Sequence, residues 1–548
     1  MSDASTSEPA RSERPVQRAD FSDAAPPFDT DYAIIGSGFG GSVSALRLSE
    51  KGYRVQVLEM GKRWEKEDFA KSSWDLRRFF WEPRFFLHGI LQMTVLKDAF
   101  ILHGAGVGGG SLVYANTLLV PPDEAFKDPR WVGLDWKEAL APHYDTAKRM
   151  LGATPSAVIV ETDRLLKQVA DDMGRGHTFH RATVGVYFGE AGKTEPDPFF
   201  NGEGPERTGC TLCGGCMVGC RVGAKNTLDK NYLYLAEKKG AQIVPETKVV
   251  DIVPLKTGGY ELTLESSTSV FTRRRKLRAR GVVLSAGSIG SVDLLMRCRD
   301  RGSLDKLSPQ LGNYMRTNSE ALLGIRSRRN DVDHSKGIAI TSGAFVDEKT
   351  HIEVVRYPDG SDSMSMLTTI LTDDGPGMPR WLRWMKNVIT HPIDFIRMSI
   401  PFGWARRTAI LLVMQPLDNH FRYKLTRRWW WPFSKKLDSE RGTEKPAPVY
   451  IPIANEVAKR MAEKMDGIAQ SGILEVLGNK ASTAHILGGC PIGATPDDGV
   501  VGPHHQVFGY ENFYVIDGST IPANLGVNPS LTITAMAEHA MTHVPPKR

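Results

Sequence analysis

The chain has 548 residues, 41% hydrophobic and 24% charged, an ordinary globular composition with length for roughly two to four domains; this excludes a fibrous, wholly disordered or disulfide-stapled miniature protein. The formal charge of +6 is small for this size and gives no reason to expect nucleic acid as a partner. No window approaches the roughly 18 consecutive apolar residues of a membrane span.

Residues 1–29, MSDASTSEPARSERPVQRADFSDAAPPFD, are rich in Ser, Ala, Pro and charge and read as a disordered leader. Nothing before Tyr32 supplies the apolar segment of a secretory signal, so a cytoplasmic location with reduced thiols is expected. The next stretch, DYAIIGSGFGGSVSALRLSEKGYRVQVLEMG, predicts a strand over 32–35, the turn Gly36-x-Gly38-x-x-Gly41, a helix through Val43 and Leu46, and a second strand ending at Glu59. That order is the context a dinucleotide fingerprint requires. Gly36 allows the tight turn, Gly38 a close approach of pyrophosphate, and Gly41 close helix–strand packing, while the helix N-terminus offers amides to the phosphates. Glu59 suits two ribose hydroxyls and would repel a 2′-phosphate, which disfavours NADP; FAD and NAD both stay open at this point.

Residues 74–93, WDLRRFFWEPRFFLHGILQM, interleave aromatic and basic residues. A second glycine-rich segment, GAGVGGGSLVYAN over 104–116, lacks a βαβ context. Gly104, Gly106, Gly109 and Gly110 would let backbone lie flat against a planar ring, with Ser111 and Asn116 as polar contacts.

Four of the six cysteines, Cys210, Cys213, Cys216 and Cys220, crowd into CTLCGGCMVGC. The spacing is that of a bacterial ferredoxin run and suits a 4Fe–4S cluster, with Cys220, Cys298 or Cys490 as fourth ligand. Zinc, which usually takes two separated knuckles, and a cysteine-rich turn without metal are the competing readings. Farther on, RRRKLRAR over 273–280 reads as a solvated hairpin edge.

Between 321 and 480 no cofactor motif occurs, and a substrate-covering domain is expected there. Within it, Trp381, Trp384 and Val388 fall near one helical face, surrounded by Arg380, Arg383 and Lys386; with Trp429, Trp430 and Trp431 they suit either a lid over an apolar pocket or peripheral membrane contact. Near the C-terminus, Tyr514 to Ile516 predict a short strand delivering Asp517 and Gly518, and Asn528-Pro529 an N-cap with Pro at the first helical position.

With STAHILGGCPIG (482–493) and NFYVIDGSTIPANLGVNPSLTITAMAEHAM (512–541), four ordered motifs are in place. The chain resembles the glucose-methanol-choline family of FAD oxidoreductases, most of all its bacterial cholesterol oxidase branch, over nearly everything from Asp31 onward. The resemblance implies an α/β fold: a Rossmann-like FAD-binding domain assembled from N-terminal, middle and C-terminal segments, with an inserted α+β substrate domain of antiparallel sheet covered by helices. The divisions it suggests are FAD-binding segments at 30–120, 210–320 (with the cysteine loop) and 481–548, cap elements at 121–209, and the substrate domain at 321–480.

It further implies that Val250, Ala286, Gly287, Asp517, Gly518, Asn528 and Pro529 join the cofactor contacts, with VVLSAGSIGSVDLL (282–295) beside the flavin; Val292 stands where the family usually has proline. His485 takes the position of the active-site histidine and Asn528 that of its hydrogen-bonding partner. Glu353, with Glu320 as competitor, takes that of the glutamate that moves a proton in double-bond isomerisation, and His103 is a candidate for covalent FAD attachment. His539 and His543 read as packing or surface residues. The expected activity is oxidation of a bulky apolar alcohol, a 3-hydroxysteroid such as cholesterol, to the ketone, with oxygen, a quinone or a redox protein as electron acceptor. The alternatives are a long-chain alcohol dehydrogenase passing electrons through an iron–sulfur cluster, a flavin/iron–sulfur electron-transfer protein without an alcohol substrate, and a degenerate flavoprotein with a binding role.

Overall fold

The strand Thr30–Ile35 is buried along its whole length, and its apolar part, Tyr32 to Ile35, is of the kind found in strands covered on both faces. It lies at the centre of a seven-stranded sheet, with Val55–Leu58 and then Gln242–Val244 parallel on one side and Arg275–Leu284 parallel on the other. Phe513–Val515 adds in parallel beyond Arg275–Leu284, so residues from three distant parts of the chain share one sheet edge. The structure is a computed structural model that describes residues 28–269, 271, 273–428, 431–442 and 445–548. The expected leader therefore lies almost wholly outside the described residues, as do Trp429 and Trp430.

The strand Arg275–Leu284 belongs to two environments. Its second half joins the parallel core, and its first half pairs antiparallel with Tyr260–Ser266. The basic run is thus strand rather than turn: Leu277 and Ala279 are buried, while Lys276 and Arg278 pair with Glu261 on the exposed face. The helix Gly287–Arg301 follows directly and passes through Val292 without a break, with Val292 fully buried.

A second seven-stranded sheet is antiparallel throughout. Its order is Thr368–Ile370, Gly467–Gly472, Ala321–Ser327, Thr408–Met414, His351–Val355, Ile340–Phe345 and His180–Arg181. Side-chain alternation divides it cleanly. Ile352, Val354, Leu411 and Val413 pack with the helices Glu161–Asp172 and Pro452–Met465, and Val355, Ile410 and Leu412 face a cavity against the first sheet. A small third sheet joins Ala481–Thr483 in parallel to Ala99–Gly104, which brings the approach to His485 beside the glycine-rich segment 104–116.

On the outside of the antiparallel sheet lie the helices Arg380–Thr390 and Pro392–Ser399. The expected face of Trp381, Trp384 and Val388 is displaced by one position. Trp384 turns inward and donates from Nε1 to Thr369 Oγ1 at 2.7 Å, Arg380 is buried, and Trp381, Met385 and Ile389 are exposed. The inward polar partner decides the rotation. Among the described residues no helix is long and apolar enough to cross a membrane.

Candidate active site

The turn after the first strand is shaped by what its glycines exclude. Gly36 has φ of +97°, and a Cβ on Gly41 would stand 2.0 Å from Gly36 O, so helix and strand touch backbone to backbone. Gly40, which the fingerprint does not require, is as constrained: its Cβ would lie 1.7 Å from Ile516 O. The GFGG doubling was the available signal. Gly38, in contrast, has nothing within 4 Å of a Cβ and caps the helix Phe39–Glu50 without a side-chain partner. Open space therefore lies beside free amides, where a pyrophosphate fits.

Glu59 ends the second strand, buried, on the wall of the same cavity. Its carboxylate accepts from Ser37 N at 3.1 Å, Ser37 Oγ at 2.7 Å, Gly61 N at 2.8 Å and Gly106 N at 3.4 Å. Burial pushes its pKa up and these donors pull it back. The four donors occupy the usual acceptor sites of a carboxylate, so a ribose hydroxyl would replace the longest of them. Glu59 also ties the phosphate turn to the glycine-rich loop.

That loop divides into wall and frame. Gly104, Gly109 and Gly110 line the cavity with Tyr114 and Ala115. Gly106, Ser111 and Asn116 do not. Ser111 Oγ donates to Gly108 O at 2.7 Å and accepts from Leu228 N at 3.0 Å, Gly106 packs on Leu112 and Lys62 O, and Asn116 is buried at φ 72° facing the Cys216 thiol. The turns of the loop engage the Ser111 hydroxyl, whereas the Asn116 side-chain amide is buried without a hydrogen-bond partner.

Val250, Ala286, Gly287, Asp517, Gly518, Asn528 and Pro529 all line the cavity. Asp517 accepts from Gly287 N at 3.0 Å, Ser291 Oγ at 2.5 Å and Ser519 N at 2.8 Å, locking the C-terminal segment to the Gly287–Arg301 helix. The last helix begins at Ser530 with Pro529 as its cap, one position later than expected. Asn528 is not the cap: its Oδ1 accepts from no helix amide, and its Nδ2 donates to Glu353 Oε2 at 3.0 Å. His103 lines the cavity with Nε2 against Thr94 Oγ1 at 2.8 Å, and burial pulls its pKa to about 4.

His485 follows the strand Ala481–Thr483 and also lines the cavity. Its Nδ1 pairs with Glu320 Oε1, while Glu320 Oε2 accepts from Ala484 N. Burial disfavours the imidazolium, but the Glu320 charge and hydrogen bond, with Glu353 farther off, outweigh it and hold the His485 pKa above the ordinary value. Glu353 is wholly buried; burial pushes its carboxyl to about 7 despite the Asn528 bond and nearby His485. Glu353 Oε1 and Asn528 Oδ1 have no hydrogen-bond partner, unusual for buried polar atoms; Asn528 lines the cavity, and Glu353, which does not, reaches it through Asn528. Glu320 and Glu353 are thus not rivals for one position: one holds the histidine and the other holds the asparagine.

The cysteine loop does not supply the metal nest its spacing predicted. Among the described residues no group of three or more His, Cys, Asp or Glu is arranged to hold a metal ion. Cys213 is exposed, Cys216 buried, and Cys210 and Cys220 intermediate; Cys210 lies within electrostatic reach of the other three, and the loop pairs with neighbouring backbone, Gly214 N donating to Gly337 O at 2.8 Å and Gly337 N to Leu212 O at 2.8 Å. Cys298 is engaged with Asp251, and Cys490 lies beside Asp517 and Ser519, so neither completes a set. What the loop does contribute is Met217 on the cavity wall. Below it the buried Lys225 donates to Leu112 O at 2.9 Å and Cys216 O at 2.8 Å, 4.7 Å from the Tyr114 ring; burial pulls its pKa to about 7. Sequence reasoning passed over Lys225, whose place shows only in the fold.

Family models described as GMC oxidoreductase match residues 205–299 and 443–537, and one described as NAD(P)-binding Rossmann-like domain matches 34–64. The chain is 49% identical over 531 residues to a cholesterol oxidase of Acinetobacter baumannii, covering 95% of each chain. It is 48% identical to a cholesterol oxidase of Mycobacterium tuberculosis, covering 95% of this chain and 92% of that one. The chain belongs to the GMC oxidoreductase family. A solved structure, the pyridoxine 4-oxidase from Mesorbium loti, shares the fold with a TM-score of 0.59 at 16% identity, covering 94% of this chain and 99% of that one.

GMC oxidoreductases bind FAD, and the residues present fit it. The open side of Gly38, the carboxylate of Glu59, the open side of Gly287 and the first turn of the Ser530–Thr542 helix all border one continuous cavity of about 750 Å³. Nucleotide groove and apolar chamber meet there at His485 and Asn528.

Proposed function

We propose that this GMC oxidoreductase oxidises the hydroxyl of a bulky apolar alcohol, a 3-hydroxysteroid such as cholesterol, to the ketone, with oxygen as the electron acceptor and with double-bond isomerisation as a second step. The observation that carries this reading is the placement of His485, anchored through Nδ1 by Glu320, at the meeting point of nucleotide groove and apolar chamber. FAD, when bound, accepts the carbinol hydride at N5.

The chain's own residues supply the rest. With Nδ1–H held by Glu320, the His485 Nε2 lone pair is the one left to take the hydroxyl proton, the tautomer logic by which a carboxylate orients a catalytic histidine. Asn528 holds Glu353 with one Nδ2 hydrogen and has the second to donate to the oxygen of the same hydroxyl. Met217, Tyr357, Met364, Leu367, Trp404 and Leu412 line the chamber, so an alcohol with a large apolar body is bound by area while water is kept from the reacting carbon. Glu353, near neutral pKa and with Oε1 free, moves a proton along the ring in isomerisation.

Anaerobic mixing of the FAD-loaded protein with 3-hydroxysteroids and long-chain primary alcohols, followed by oxygen, tests the proposal. Sterol should bleach the flavin, and oxygen should restore its colour with release of hydrogen peroxide. Bleaching by neither class of alcohol would overturn the reading; colour restored only by a quinone or a redox protein would reassign the acceptor.

A further inference from the structure

The cysteine loop takes no part in the proposed reaction. Its four thiols are all free, and Cys210, Cys216 and Cys220 pack in one apolar cluster with Leu212 and Met217. Cys213 stands apart, because it is exposed and its sulfur meets whatever is dissolved around the protein. Cys210, three residues before it, has its sulfur tied into the turn: Leu212 N donates to Cys210 Sγ at 3.4 Å. Leu212 itself is held at φ 57°, a left-handed conformation that a leucine rarely takes and that is concentrated at functional and switch segments. Cys210 lies within electrostatic reach of Cys213, so one C-x-x-C turn brings an exposed thiol beside a half-buried one. Burial pushes Cys210 up to about 12, which leaves Cys213 as the member that an oxidant meets first.

We propose that Cys213 and Cys210 form a reversible peroxide-sensing pair, oxidised to a disulfide by the hydrogen peroxide that turnover releases, and that the disulfide slows turnover; the inference rests on the oxygen-linked reading above. The Cys213 thiolate attacks peroxide: an S–O bond forms, the O–O bond breaks, and sulfenic acid and hydroxide result. The Cys210 thiol then condenses with the sulfenic acid, the S–S bond forming as the S–O bond breaks and water leaves. In sum the two thiols give up two electrons and two protons, and one peroxide becomes two waters. The other thiols are placed less well. Cys216 is buried against Asn116 and Lys225, Cys298 is engaged with Asp251, and Cys490 is buried beside Asp517. The oxidant is the product of the protein's own activity, so oxidation of the pair tracks the work done.

The turn is joined to the chamber on two sides. Met217, on the chamber wall, ends the short helical turn Gly215–Met217 that follows Cys213 and Gly214. On the other side Leu212 and Gly214 are bonded to Gly337 through backbone, and Gly337 leads directly to Ile340, also on the wall. There is little slack at this junction, since a Cβ on Gly214 would lie 2.2 Å from Ser335 O. Lys225, donating to both Cys216 O and Leu112 O, fixes the far end of the loop to the glycine-rich segment. A disulfide imposes its own Cα separation and torsion on the turn that carries it, and these bonds pass the change to Met217 and Ile340.

The test uses the full FAD-loaded chain, reduced and then freed of reductant, in parallel arms: sterol in air, sterol in air with catalase, and added hydrogen peroxide without sterol. Mapping of alkylated, unreduced peptides should show Cys210 joined to Cys213 in the first and last arms and every loop thiol alkylated in the catalase arm. Sterol turnover by the oxidised protein should fall by roughly ten- to a hundredfold, the scale on which small displacements of positioning groups act, and dithiothreitol should restore it. Cys213→Ser should turn over sterol at the parental rate under reductant and keep that rate in peroxide. Loop thiols left free in added peroxide, a disulfide that omits Cys213, or irreversible sulfinic acid at Cys213 overturns the proposal. A Cys213→Ser protein that loses activity in peroxide as fast as the parent, or a Cys210–Cys213 disulfide with unchanged turnover, overturns the coupling to the chamber. A disulfide formed in added peroxide but not during sterol turnover, with no peroxide released, would leave the thiol pair standing and overturn the oxygen reading instead.

Discussion

The two seven-stranded sheets meet at one cavity but bring residues to it in different ways. In the parallel sheet, short local runs do the work: Gly36, Gly38, Gly41 and Glu59 lie within 24 residues of one another, and their positions follow from one βαβ unit. In the antiparallel sheet, Glu353 reaches the site only because His351–Val355 pairs with Thr408–Met414 in one register; a shift by a single residue would turn its carboxylate to the helix face. Glu320, one residue before its strand begins, depends on pairing in the same way. The phosphate turn and the acid after it are therefore encoded locally, and substrate chemistry is encoded by topology.

The sharpest way to break this division is at the junction. His485→Asn should leave FAD content unchanged and slow sterol-dependent flavin bleaching by about 10²–10⁴-fold, the usual worth of a positioned base; bleaching within a few-fold of wild type would remove His485 from the chemistry. The local side is tested by two glycines only two residues apart, Gly38 and Gly40, with opposite surroundings. Gly40→Ala places a methyl 1.7 Å from Ile516 O, forcing the C-terminal strand away, and should abolish folded holoprotein. Gly38→Ala meets open space, so the apoprotein should melt within about 2 °C of wild type while FAD affinity falls by roughly tenfold or more. Equal melting of the two variants would refute the packing argument.

Legibility followed the same division. The fingerprint, the strand expected over 514–516 and found at Phe513–Val515, and the helix expected from Pro529 and found from Ser530 could be read nearly in place because each is local, and the resemblance of four ordered motifs supplied His485 and Asn528. The partition of Glu320 and Glu353 could not be read, since both are single acids in strand-like contexts and only pairing shows which histidine or amide each meets. The cysteine spacing was less informative for a related reason: it states which thiols could converge, but not whether their sulfurs are arranged to hold a metal, and among the described residues no such group is found. Ser111 is a polar residue in the right segment, yet the loop's own turns claim its hydroxyl.

Glu320→Gln probes how far topology tunes the base. The buried carboxylate holds the His485 pKa up, and His485 must be neutral to accept a proton, so activity is lost as pH falls through that pKa. Removing the charge should move the acid limb of kcat/KM to lower pH and reduce the plateau about 10–100-fold, because the tautomer is less firmly held. An unshifted acid limb in the pH profile would show that Glu320 acts only in packing.

Glu353→Gln should have the smallest effect on oxidation, leaving it within a few-fold of wild type, while the isomerised ketone disappears from the products. Its effect on stability has a definite sign. The folded carboxyl titrates near 7 against an ordinary 4.5, so below about 4.5 both states hold the proton and the group costs nothing. Between 4.5 and 7 the unfolded chain releases its proton first, and stability is lost as pH rises, reaching roughly 2–4 kcal/mol above pH 7. Glutamine, always neutral, escapes this cost while its amide oxygen still accepts from Asn528. Denaturant unfolding of the two proteins should therefore give nearly equal stabilities at pH 4.5 and a variant more stable than wild type at pH 8. Parallel stability curves across that range would mean that Glu353 ionises as freely in the fold as in water, and the antiparallel sheet would then have delivered a carboxylate to the site without changing its chemistry.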